Sequence, residues 1–172
     1  MSRRDQIAMT PDEVAAFLDE NRTAHLATIG PDGAPHLTTL WYGLVDGRIA
    51  IWTYRKSQKV KNLERDPRIT ALVESGDSYA ALRGVMITGH AVMSNETADI
   101  MRVAEALYLR NGDRFGDVQF PTTEGSQGGQ RPDALDSGTL NVLEHMSAKR
   151  TAIIVEPDTI ASWDHRKLGG IY

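Results

Sequence analysis

Residues 36–54 read HLTTLWYGLVDGRIAIWTY, and their pattern decides the fold. Asp46-Gly47 is a dipeptide that two-residue hairpin turns prefer, because both central residues of such a turn need positive φ. After it, Ile49, Ile51 and Thr53 alternate with Ala50, Trp52 and Tyr54. That period of two gives a strand two distinct faces. Before it, His36 to Val45 reads as one long strand. The pattern therefore predicts a hairpin joining a strand over 36–45 to one over 48–54.

The flanking sequence extends this. Thr23 to Ile29 predicts an earlier strand, with Pro31-Asp32-Gly33 as the turn between, so three strands form an antiparallel meander. Further upstream, Thr10-Pro11-Asp12-Glu13 opens a helix: Thr10 caps it, Pro11 sits where a missing N–H does no harm, and Glu13 completes a capping box. Val14, Phe17 and Leu18 give it one apolar stripe through about residue 21. Downstream, residues 57–66 read as a short basic helix or loop, stopped by Asp66-Pro67. Arg68 to Glu74 is a fourth strand. Leu82 to Met93 is a long fifth, with Gly84 and Gly89 marking a bulge, a corner or a close approach by a ligand. Ser94 caps a helix running to about Arg110. Residues 113–138 are rich in Gly, Ser, Pro, Asp and Gln, an excursion too long for a simple connection. Thr139 to Met146 predicts another helix, Thr151 to Trp163 a sixth strand broken near Pro157, and 164–172 a tail. The expectation is a mainly β, α+β fold: a six-stranded antiparallel barrel with flanking helices, one domain over residues 1–172.

Composition sets limits on function. The 172 residues suffice for one buried core, and 41% hydrophobic with 24% charged residues describes a globular chain. A net charge of −4 argues against a nucleic acid or membrane surface as partner. There is no Cys, hence no disulfide, thiolate metal site or Cys nucleophile. No apolar run approaches the ~20 residues a membrane helix needs, and the first ten residues lack the apolar core of a signal peptide. A cytoplasmic protein is the expectation. The total hides an asymmetry, however. Of fourteen Arg and five Lys, three Lys (Lys56, Lys59, Lys61) fall within six consecutive residues.

That cluster is the first candidate site. Arg55, Lys56, Ser57, Lys59, Lys61 and Asn62, with Arg65 and Arg68 beyond, begin where the third strand ends. A phosphate needs several charge-assisted donors converging from one short segment, and a helix starting near Ser57 adds the positive end of its dipole. The same residues also suit a solvated basic face, partly offset by Glu64 and Asp66. Trp41, Tyr42, Trp52 and Tyr54 lie on strands expected to be neighbours, where they wall a flat ring or simply fill the core. His25, His36, His90, His145 and His165 show no metal-ligand spacing, and no Ser motif accompanies Asp164-His165. Arg83-Gly84 in the fifth strand meets a ligand, a second subunit or only solvent.

Taken in order, these pieces resemble the split β-barrel flavin- and deazaflavin-binding superfamily that includes pyridoxamine-phosphate oxidase, and within it the actinobacterial branch that uses coenzyme F-420. The resemblance runs from the opening helix through His25-Leu26-Ala27-Thr28-Ile29 and Pro31-Asp32-Gly33-Ala34-Pro35-His36 to the hairpin. Its most specific run is Thr53 to Arg68, where Lys59-Val60-Lys61-Asn62-Leu63 and Arg65-Asp66-Pro67-Arg68 look like the phosphate-binding segment. The resemblance implies a six-stranded split barrel and a homodimer with cofactor at the subunit interface. It implies contacts to the phosphate or tail from Arg55, Ser57, Lys59, Lys61 and Asn62, and a ring lined by His36, Thr38, Trp41, Trp52 and Thr53. Tyr79, Arg83 and Gly84 match a region that reaches the partner's cofactor. The implied activity is F-420-dependent hydride transfer to a small unsaturated or conjugated substrate, with no metal. An FMN-dependent oxidase or reductase, or a non-catalytic flavin, deazaflavin or haem carrier or sensor, uses the same barrel. The tail Trp163-Asp164-His165-Arg166-Lys167-Leu168 departs from the Arg-Leu-His-x-Arg type ending of pyridoxamine-phosphate oxidases, so oxidation of pyridoxamine phosphate is not expected.

Overall fold

A computed structural model describes residues 2–112 and 134–169. In chain order its elements are α1 (Arg3–Ile7), α2 (Pro11–Glu20), β1 (Thr23–Ile29), β2 (Pro35–Trp41), β3 (Gly43–Val45), β4 (Arg48–Tyr54), α3 (Gln58–Arg65), β5 (Arg68–Ser75), β6 (Arg83–Ser94), α4 (Thr97–Asn111), α5 (Ser137–Ser147) and β7 (Arg150–Asp164). Short 3-10 turns occupy Tyr79–Ala81 and His165–Leu168. Of the excursion expected at 113–138, residues 113–133 lie outside the described residues, as do 170–172 of the tail.

Most local signals hold, although α4 is capped by Glu96 and not by Ser94, which ends β6. Asp46 and Gly47 take φ of 52° and 76°, the left-handed region that the hairpin turn demands. Thr10 caps α2 with Glu13 completing the box. A second capping box, Ser2 with Asp5, starts the short α1, which the sequence pattern did not predict. At Gly89 the register of β6 against β7 slips, so that Gly89 faces Pro157 and Thr88 faces Thr159. A Cβ on Gly89 would collide with the carbonyl oxygen of Glu156. This bulge absorbs Pro157, and β7 runs unbroken where a break was expected.

The meander is corrected. The strands form one antiparallel sheet of order β2-β1-β5-β6-β7-β4-β3. It has seven strands rather than six, because the long strand expected over 36–45 divides at Tyr42. Its first part pairs with β1 and its second with β4, at opposite edges of the sheet. Tyr42 is fully buried, and its hydroxyl donates to the Leu18 carbonyl at 2.6 Å. Asn111 donates to the Tyr42 carbonyl at 3.3 Å, and the Arg110 guanidinium lies 4.7 Å from its ring centroid. Burial pushes the phenol up to about 12. These contacts pin a corner that brings the two sheet edges together at one point, and the sheet rolls into a barrel split along the rest of its seam.

Inside the roll lie Leu26, Ile49, Ile51, Ile69, Val73, Val85 and Ile153. Phe17 and Leu18 of α2 and Val60 and Leu63 of α3 join the same core. Each fully buried aliphatic side chain contributes roughly 1.5–3 kcal/mol. Helices α4 and α5 cover the outer face over β3, β4 and β7, burying Ala50, Val103, Ala152 and Leu143. No helix among the described residues is long and apolar enough to cross a membrane.

Candidate functional site

Strand register divides the barrel into two ends. Thr28, Ile69 and the pair Thr53–Thr151 lie at the end carrying α3. Trp41, Ser75, Arg83 and Asp164 lie at the other.

At the first end α3 is held by its one buried amide. Asn62 is fully buried, donates to the Thr28 hydroxyl at 3.0 Å and accepts from Gln58 at 2.8 Å. The Thr28 hydroxyl lies 3.5 Å from the carbonyl oxygen of His36. Asn62 is thus a peg joining helix to sheet, with its amide engaged inside the protein. On the other flank Lys59 reaches the Thr53 hydroxyl at 3.4 Å. Burial lowers the Lys59 ammonium below the ordinary lysine range, because charge is disfavoured away from water.

Three polar atoms here have no partner. Ser57 is the N-cap of α3, yet its hydroxyl caps nothing and is buried without a hydrogen bond. The Nδ1 atom of His36 and the Oγ1 atom of Thr38 are likewise buried and unsatisfied. Each orphan costs about 1–3 kcal/mol. Ser57, the helix N-terminus and Lys59 offer donors suited to an oxyanion, and His36 and Thr38 add unsatisfied polar atoms on the inner face of β2. Lys56 and Lys61 project into solvent. Arg55 donates through Nε and Nη2 to the Arg150 carbonyl, at 3.2 and 3.0 Å.

The residues expected to line a ring fall on two faces. Thr53 shares the inner face of β4 with Ile49 and Ile51, and His36 and Thr38 share that of β2 with Leu40. Trp41 and Trp52 face outward. If the β3–β4 pairing of Gly43 with Ala50 continued, Trp41 would stand opposite Trp52. Instead β2 diverges, and a wedge-shaped cavity of about 520 Å³ opens between them. Trp41 and Trp52 wall it on the sheet side, and Leu107, Tyr108, Leu143 and Met146 on the helix side. The expectation that the two strands are neighbours holds as proximity across a gap, not as pairing.

Tyr79, Arg83 and Gly84 are not brought to this site within the protomer. Arg83 pairs with Glu20 at 2.6 Å and lies over the Phe17 ring. Tyr79 meets His165 edge to face at 4.8 Å. A Cβ on Gly84 would strike the Trp163 indole. Among the described residues no group of His, Asp or Glu is placed to hold a metal ion.

Sequence reading missed Arg150, at the start of β7. Its guanidinium carbon lies 4.0 Å from the Tyr54 ring centroid and 4.7 Å from that of Trp52. It lines the wedge, and its Nε is buried with no acceptor. Only Lys149-Arg150 directly before a strand signalled it, a pattern too common to single out.

Residues 10–164 match the protein-family model described as pyridoxamine 5'-phosphate oxidase. The conserved hypothetical protein Rv2991 from Mycobacterium tuberculosis is 37% identical in sequence, with a TM-score of 0.82 over 100% of this chain and 95% of that one. An F420 reductase superposes with a TM-score of 0.56 at 20% identity, over 88% of this chain and 98% of its own. A FAD-binding protein from Mesorhizobium loti gives 0.61 at 15% identity, over 90% and 94%. The last two likenesses concern the fold alone.

Proposed function

Because the chain belongs to the pyridoxamine 5'-phosphate oxidase family, we propose that it is an oxidoreductase that binds a flavin-like cofactor at the α3 end of its split barrel, and that this cofactor is F-420. The observation that carries the reading is the orphaned set at that end: the idle Ser57 hydroxyl, the unsatisfied atoms of His36 and Thr38, and the half-buried Lys59. In this reading Ser57, the first amides of α3 and Lys59 take the cofactor phosphate. His36, Thr38 and Thr53 meet the polar edge of its ring. F-420, when bound, supplies a hydride. The protein binds, orients and excludes water, and no side chain serves as nucleophile.

Charge favours F-420 over FMN. One phosphate is matched by Lys59 and the helix end, whereas Arg55, Lys56, Lys61 and Lys149 add cations with no carboxylate partner among the described residues. A long anionic tail accounts for that surplus. The F420 reductase of the same fold supports the assignment as a precedent.

A homodimer belongs to the same proposal. Among the described residues, no helix covers the outer face of β2, β1 and β5 with the adjoining half of β6. Its centre carries Leu37, Ala27, Thr70, Leu72 and Met86 and no Lys, Arg, Asp or Glu, and Leu37 is 64% exposed. Such a face suits a second copy of the chain. Sedimentation should give a dimer that Leu37→Asp dissociates, and a monomeric wild type defeats this part. For the cofactor, the test is titration of apo-protein with F-420 and with FMN, followed by a substrate screen with the reduced cofactor. Tighter F-420 binding and turnover of an unsaturated acceptor are expected. Tighter FMN binding moves the protein to the flavin reading, and binding without turnover moves it to the carrier reading.

A further inference from the structure

The wedge between β2 and β4 holds one charged side chain among the residues that line it, Arg150. Most half-buried or buried arginines of this protein have carboxylates: Arg48 pairs with Glu156, Arg83 with Glu20 and Arg110 with Asp19. Arg150 has none among the described residues, and nothing accepts its buried Nε–H. Stacking on Trp52 and Tyr54 fixes the guanidinium plane and leaves its hydrogen-bonding edge without an acceptor. The rest of the lining is apolar apart from Thr23, Thr39 and the Tyr108 hydroxyl, and two indoles face the gap.

We propose that this wedge binds a flat conjugated carboxylate, with its ring or unsaturated chain against Trp41 and Trp52 and its carboxylate on Arg150. The volume of about 520 Å³ falls in the range of small-molecule sites. A guanidinium meets a carboxylate through two parallel bonds, which fixes orientation as well as position. The inference concerns a second ligand site, apart from the proposed cofactor site; occupation of the wedge needs no cofactor. His36, Thr38 and Thr53 face the other side of the strands, so cofactor and carboxylate have separate places.

Calorimetric titration of the apo-protein with cinnamate and with its uncharged amide, cinnamamide, tests this. Cinnamate should bind about tenfold or more tightly than the amide, the worth of a charge-assisted bond. Arg150→Met should bind both ligands alike, at the amide's affinity, and Arg150→Lys should restore part of the preference. Thermal melts of both variants, close to wild type, show that the fold is intact. F-420 should bind the cinnamate-saturated protein as well as the free one. Equal binding of acid and amide, binding of neither, a preference that survives in Arg150→Met, or displacement of cinnamate by F-420 overturns the proposal. Failure of the cofactor reading looks different: cinnamate binds through Arg150 while neither F-420 nor FMN binds at all.

Discussion

The two ends of the barrel use the same cations in opposite ways. At the end away from α3, Arg83 pairs with Glu20 at 2.6 Å, Arg110 with Asp19 at 3.1 Å, Arg166 with Asp164 at 2.6 Å and Lys167 with Glu13 at 2.6 Å. At the α3 end, Arg68 is paired with its neighbour Asp66. Arg55, Lys56, Lys59, Lys61 and Arg150, however, have no carboxylate partner among the described residues. Paired cations staple segments together and cancel their own fields. Unpaired ones repel each other and attract anions from outside. The overall charge of −4 averages over both and describes neither.

The comparison breaks most visibly at Arg110, which is 5% exposed and also donates to the carbonyls of Leu18, Asp19 and Asn21. Arg110→Ala should cost about 3–5 kcal/mol of stability, the toll of stranding buried partners, as read from urea unfolding. Lys59→Ala should do the reverse. Cofactor affinity should fall by roughly 1.5–3 kcal/mol, a factor of about ten to a hundred, with no loss of stability, since its ammonium is desolvated without a counter-charge. A finer contrast lies in two N-caps. Thr10 uses its hydroxyl on the Glu13 amide, so Thr10→Ala should cost about 1 kcal/mol of stability. Ser57 caps nothing and its hydroxyl is a buried orphan, so Ser57→Ala should cost no stability, relieving up to about 1–3 kcal/mol instead, and weaken cofactor binding a few-fold. A normal stability loss in Ser57→Ala would erase the distinction between the ends.

The smallest effects appear in pH. Hydrogen bonds from Arg83, Arg166 and Lys167 hold Glu20, Asp164 and Glu13 below the ordinary carboxylate range. Their folded values are depressed, so the stability they add is complete above the unfolded values and is lost as pH falls through the folded ones. The paired end therefore loosens in acid. Lys59 must carry its proton to hold an anion, and its value is also lowered. Cofactor affinity should decline as pH rises, earlier than an ordinary lysine would allow. Lys59→Arg should move that decline out of reach. Affinity measured across the alkaline range checks both.

Most of the fold was legible because its signals are local. Asp46-Gly47, the Thr10 box and the run Lys59 to Arg68 each act within a few residues, and all three formed as read. The break at Tyr42 was not legible. It depends on Leu18, Arg110 and Asn111, which meet Tyr42 only after the barrel rolls, and residues 36–45 alone look continuous. Parity carried more than was used: even-numbered His36 and Thr38 and odd-numbered Trp41 cannot share a face of one strand. Charge and position single out Lys59, Ser57 and Asn62 alike, and only the folded chain shows that the Asn62 amide is engaged inside the protein. Arg150 was invisible because its meaning comes from two aromatic rings about a hundred residues earlier.

The place of β7 in the sheet has a temporal consequence. The β3–β4 hairpin closes across a two-residue turn, but β4 finds its other neighbour only when Trp52 meets Ala152. On a chain made from its N-terminus, that hairpin emerges and waits for about a hundred more residues to be added. Contacts so distant in sequence close slowly. The same late strand brings Arg150 to the wedge and Thr151 to the side of Thr53. The α3 donors can assemble on an unfinished barrel, but the wedge cannot. During synthesis the α3 end would be complete before the wedge is.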